Sequence, residues 1–193
     1  MKHTIFSTPI ITPLLRGMAF LLLRAGGWRV RGARPPLKKC VAVFAPHSSN
    51  WDLPIGMCAA LVLRVESAWL GKDALFRWPY GWLFRWFGGI PVDRSRHNGV
   101  VESCVAAFNA SDRLWVAITP EGTRSQVERW KTGFWHIAKQ ADIPMLLCFI
   151  DYARHEIGIL GAIRPGPDCA ADIAMLQQQY AQFARHEPKQ LTG

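Results

Sequence analysis

The chain has 193 residues, half of them hydrophobic, and carries a formal net charge of +9. That length suits one domain with a single sizeable core. The five cysteines (Cys40, Cys58, Cys104, Cys148 and Cys169) form no C-x-x-C pair and no metal-ligand spacing, which argues against a disulfide framework and for reduced thiols in a cytosolic setting. The charge is not spread over a wide basic face. Eight Lys or Arg and no Asp or Glu fall in residues 1–51, while the remainder is almost neutral. None of the recognised nucleic-acid motifs occurs, so a nucleic-acid partner is not expected.

In chain order, residues 9–23 are largely apolar, with Arg16 and Arg24 spaced along them and Trp28 just after. The charge-free part, 17–23, is far below the roughly 18–20 residues that span a bilayer. No cleavage site for a signal peptide follows. The expectation is an interfacial helix lying on a membrane, with an amphipathic helix packed on the domain as the plainer alternative. Nine tryptophans exceed what a core of this size needs, and Trp favours membrane–water interfaces. Residues 1–34 are thus read as a basic, apolar membrane-association segment and 35–193 as the main domain.

Short strands are expected at 28–32 and 67–71. The apolar run 40–45 reads as a buried strand, ended by Pro46, and 53–66 as the helix after it. The stretch 76–87 is aromatic on every side, so no single helical face can bury all its rings. A short strand at 90–92, a helix at 98–109, a buried strand at 114–119, a helix at 133–140 and a buried strand at 145–150 follow. An edge strand at 156–161 and an amphipathic helix at 168–185 close the chain. This alternation predicts an α/β fold with a mixed, mostly parallel sheet covered by helices on both faces.

The chemistry gathers on loops after strands. His47-Ser48-Ser49-Asn50-Trp51-Asp52 follows the first buried strand. On one continuous helix, residues five apart point roughly 140° away from each other. Asp52 therefore reaches His47 only if the loop folds the histidine back over the helix start. In that geometry the carboxylate holds Nδ1–H and leaves Nε2 as a base. A capping aspartate beside a surface histidine is the bland alternative. Lys72, Asp93-Arg94 and Glu121-Gly122-Thr123-Arg124 end three further strands. If those strands share a sheet, three cations converge near the histidine and suit a doubly charged phosphate. Gly122 allows close backbone approach, and its N–H is a candidate oxyanion donor. Ser48 and Ser49 are poorly placed as nucleophiles, and no G-x-S-x-G occurs.

His47-x-x-x-x-Asp52, Gly88-x-x-Pro91-Val92-Asp93-Arg94 and Pro120-Glu121-Gly122-Thr123-Arg124-Ser125 resemble, in order and separation, the first three motifs of the glycerophospholipid acyltransferases. Lys131-x-Gly133 is similar to that family's pattern after its third motif. The resemblance covers about residues 40–150. It implies acyl transfer from acyl-CoA or acyl-carrier protein, as co-substrate, to the hydroxyl of a lysophospholipid such as 1-acyl-glycerol-3-phosphate. By the same resemblance His47 is the general base, oriented by Asp52, and Arg94 and Arg124, with Lys72, hold the acceptor phosphate. Glu121 hydrogen-bonds the glycerol part, and Gly122 contributes backbone to the phosphate or oxyanion. The apolar strands and the residues after Asp52 line an acyl groove. No metal and no cofactor is implied. Membrane lipids are the expected partners, and the cytoplasmic face of a membrane, in a peripheral or monotopic position, is the expected location. A non-catalytic lipid-binding module that kept the motifs' shape is the alternative from another class.

Overall fold

A computed structural model describes residues 4–92 and 99–183. Seven strands form one sheet: β1 (Arg29–Arg31), β2 (Lys39–Ala45), β3 (Ser67–Lys72), β4 (Gly89–Val92), β5 (Leu114–Ile118), β6 (Met145–Asp151) and β7 (Glu156–Ile163), in the order β1-β7-β6-β2-β5-β3-β4. The five strands from β6 to β4 run parallel. β7 is antiparallel to β6, and β1 runs parallel to β7. Every loop that follows one of the five parallel strands therefore leaves from the same edge of the sheet.

Both faces are covered. β2 and β6 are apolar at nearly every position because successive side chains point to opposite faces and both faces are buried. Val41, Val43, Met145 and Leu147 face a core shared with α4 (Gly99–Asn109), α5 (Gly133–Gln140) and α6 (Cys169–Tyr180). Tyr180 is tied into it by donating its hydroxyl to the Val43 carbonyl at 2.7 Å. Asp168 caps α6, accepting from the N–H groups of Ala170 and Ala171 at 2.8 and 3.3 Å. The opposite face carries α2 (Asp52–Val62).

α1 (Ile11–Ala25) packs on α2. Its Thr12, Ala19 and Leu23 turn inward, while Leu14, Met18, Leu21 and Leu22 stay exposed at 69%, 51%, 66% and 57%. One side of the helix thus packs on the domain, as the plainer alternative expects, and the other presents an apolar stripe. The aromatic stretch divides in the same way. Phe76 and Phe84 pack with Trp69 around a 3₁₀ turn (Asp73–Phe76) and α3 (Gly81–Trp86), whereas Trp78, Tyr80 and Trp82 point outward.

Two expectations are corrected. The strand expected at 156–161 is not an edge: β7 lies between β6 and β1. Gly158 makes this possible, since a Cβ there would sit 2.1 Å from the Arg31 carbonyl oxygen. The helix expected over 53–66 stops at Val62, because Arg64 turns into the left-handed region at φ 57° and the Val65 N–H closes back on the Ala60 carbonyl at 2.9 Å.

Candidate active site

The loop between β2 and α2 folds back as the five-residue spacing requires. His47 Nδ1 donates to Asp52 Oδ2 at 2.8 Å. The N–H groups of Ser48 and Ser49 donate to the same oxygen at 2.8 and 3.0 Å. Asp52 opens α2, where the helix dipole favours a carboxylate, and is only 3% exposed. Burial alone would raise its pKa, but the hydrogen bonds from His47, Tyr152, Ser49 and Ser48 outweigh burial and hold the carboxyl below its ordinary value. An ionised Asp52 can only accept, so His47 Nδ1 carries the proton of this bond.

His47 stands at one end of a cleft of about 730 Å³ that runs between α2 and the sheet to Leu63, Val65 and Trp115 at the far end of the helix. Its walls are largely apolar, including Phe44, Met57, Ala60 and Cys148. Burial pushes the Cys148 thiol up to about 12, so it is no thiolate nucleophile at neutral pH.

Glu121 is buried, and its Oε1 accepts the His47 backbone N–H at 2.9 Å. It thereby holds the main chain of the histidine that Asp52 holds by the side chain. The Gly122 N–H, a candidate oxyanion donor by sequence, is instead directed to the Thr119 carbonyl at 3.2 Å within the turn. What Gly122 supplies is space: at φ 65° it lets Lys131 lie so close that a Cβ would stand 2.7 Å from Nζ.

Arg124 and Lys131 line the cleft with Gly122. Lys72, the last residue of β3, belongs to the same sheet edge but is exposed and lies outside the cleft lining. Arg94, with Asp93, falls outside the described residues. Two participants were given no role by sequence. Tyr152, just past the end of β6, donates its hydroxyl to Asp52 Oδ1. Lys131 enters the cleft, and its signal was the Lys131-x-Gly133 pattern. Among the described residues no group of three His, Cys, Asp or Glu converges as a metal site would need.

A histidine held by a buried carboxylate thus stands beside a long, largely apolar slot that Arg124 and Lys131 also line, the concave and mostly apolar setting of an enzyme site. The family model described as Acyltransferase matches residues 28–151, and the chain belongs to that family. The fold is similar to that of the crystal structure of the 1-acyl-sn-glycerophosphate (LPA) acyltransferase PlsC from Thermotoga maritima. The TM-score is 0.62 at 14% identity, covering 89% of this chain and 79% of that one. No curated protein sequence matches the chain significantly.

Proposed function

We propose that this acyltransferase moves a fatty acyl group from acyl-CoA or acyl-carrier protein to the hydroxyl of a lysophospholipid such as 1-acyl-glycerol-3-phosphate. The observation that carries the reading is the 2.8 Å His47–Asp52 contact at the head of the apolar cleft. A thioester has a good leaving group and lacks only a strong nucleophile. His47 Nε2 takes the acceptor hydroxyl's proton as its oxygen attacks the thioester carbonyl. Collapse of the tetrahedral intermediate breaks the C–S bond, and the imidazolium returns the proton to the departing thiolate. The slot under α2 receives the acyl chain. Arg124 binds the acceptor phosphate, joined by Lys72 and Arg94, with Lys131 close by. Glu121 and Gly122 are assigned to the acceptor's glycerol and phosphate side.

The reaction is placed at the cytoplasmic face of a membrane. Supporting this are the exposed Leu14, Met18, Leu21 and Leu22 on α1, the outward Trp78, Tyr80 and Trp82, and the basic first quarter of the chain. Among the described residues no helix is long and apolar enough to cross a bilayer.

The test is purified protein with labelled acyl-CoA or acyl-carrier protein and a panel of lysolipids, separated by thin-layer chromatography. A labelled diacyl product with a phosphate-bearing acceptor is expected. Vesicle binding without turnover on either thioester would replace the reading with the lipid-binding module.

A further inference from the structure

Three of the four hydrogen bonds to the Asp52 carboxylate converge on one atom, Oδ2, which accepts from His47 Nδ1 and from the Ser48 and Ser49 N–H groups. A carboxylate pinned at one oxygen still pivots about it. The pivot is stopped from elsewhere in the chain, by the Tyr152 hydroxyl on Oδ1. We propose that Tyr152 is a positioning residue for acyl transfer: its O–H locks the plane of the Asp52 carboxylate, and through it the orientation and tautomer of His47.

The surroundings of Tyr152 suit a fixed donor. Its ring meets Trp28 edge to face, with centroids 5.2 Å apart at 86°, and Trp28 in turn stacks on His155 at 5.2 Å and 11°. The backbone N–H of Trp28 donates to the Leu23 carbonyl at 2.7 Å, and that of Arg29 to the His155 carbonyl at 2.8 Å. The Tyr152 ring is therefore fixed by its packing on Trp28, and the hydroxyl, besides its bond to Asp52, also hydrogen-bonds the Ser49 side chain on the loop that bears the dyad. Burial, and then the bond donated to Asp52, raise the phenol's pKa, so it stays a donor at working pH. A ring needed only for packing would not have to reach the carboxylate.

The inference rests on the acyltransferase reading, and its test separates the two. Tyr152→Phe keeps the ring and removes the donor. With palmitoyl-CoA and 1-oleoyl-glycerol 3-phosphate as probes, kcat is expected to fall about tenfold or more, with both KM values within about twofold of wild type. In an Asp52→Asn background the same change is expected to cost nothing further, because the hydroxyl acts through that carboxylate. An unchanged kcat, or a loss that multiplies fully with that of Asp52→Asn, overturns the proposal. Nitrogen-15 NMR of His47 provides an arm free of turnover. Wild type is expected to show one tautomer, protonated at Nδ1, and Tyr152→Phe a mixture. An identical tautomer in both proteins also overturns it. A wild type inactive on every thioester, yet showing the tautomer change, would sink the acyltransferase reading and leave Tyr152 in its positioning role.

Discussion

Alternate residues of the same strands build two unlike faces. Towards α4, α5 and α6, the sheet sends Val41, Val43, Val116 and Leu147 against Phe108, Phe134, Ile137 and Leu176, and the space is filled. Towards α2, Ala42 and Ala117 line with Gly56, Ala59 and Ala60 a cleft of about 730 Å³ that stays open among larger neighbours such as Phe44 and Trp115. Small residues at these five positions leave room on this face that Val and Phe side chains take up on the other. The filled face should therefore govern stability and the open face turnover.

The largest expected effect tests the open face. His47→Ala should lower acyl transfer by roughly 10²- to 10⁴-fold, while stability falls only by the lost bond to Asp52, about 1.5–3 kcal/mol. A variant that also unfolds would break the separation. Next comes the filled face: Phe134→Ala should cost about 3–5 kcal/mol in urea unfolding, while kcat per folded molecule holds.

Filling the slot should produce the reverse pattern. A Cβ at position 56 would approach only the Phe44 ring, at 3.9 Å, so Gly56→Leu has room to enter the cleft. It should raise KM for a palmitoyl donor about tenfold, roughly the worth of one or two buried methylenes, and spare an octanoyl donor. Replacing a helical glycine adds about 1 kcal/mol of helix propensity, so the melting temperature should not fall.

The smallest effect is in pH. The Asp52 carboxyl is depressed in the folded state, so between its ordinary value of 3.8 and the lower folded one the unfolded chain binds more protons. Its contribution to stability is full above that ordinary value and is lost as pH falls through the folded pKa. Urea midpoints measured from pH 5 to pH 2 should therefore drop more steeply for wild type than for Asp52→Asn.

Much of the frame was legible because its signals are local. Apolar runs bounded by Pro46 and Pro144 mark strands, and the 133–140 helix needed only its own periodicity. The His47–Asp52 contact was readable from spacing, since both residues lie on one short loop. Strand order was not. β7 became an interior strand through its pairing with β1, whose residues lie more than a hundred positions earlier. The same distance hid Tyr152, which reaches Asp52 across a hundred residues of sequence. Glu121 shows another limit: spacing marks a carboxylate but not which amide it accepts, and here that amide belongs to His47.

The shared direction of the five central strands has a consequence for how such an enzyme diversifies. Four of them contribute separate segments to one rim: His47 after β2, Lys72 at the end of β3, Glu121 and Arg124 after β5, Tyr152 after β6. The segments after β5 and β6 are tied directly to the one after β2, through Glu121 on the His47 N–H and Tyr152 on Asp52. A graft meant to change headgroup preference therefore has to keep Glu121 and Tyr152 if the His47–Asp52 contact is to be inherited intact.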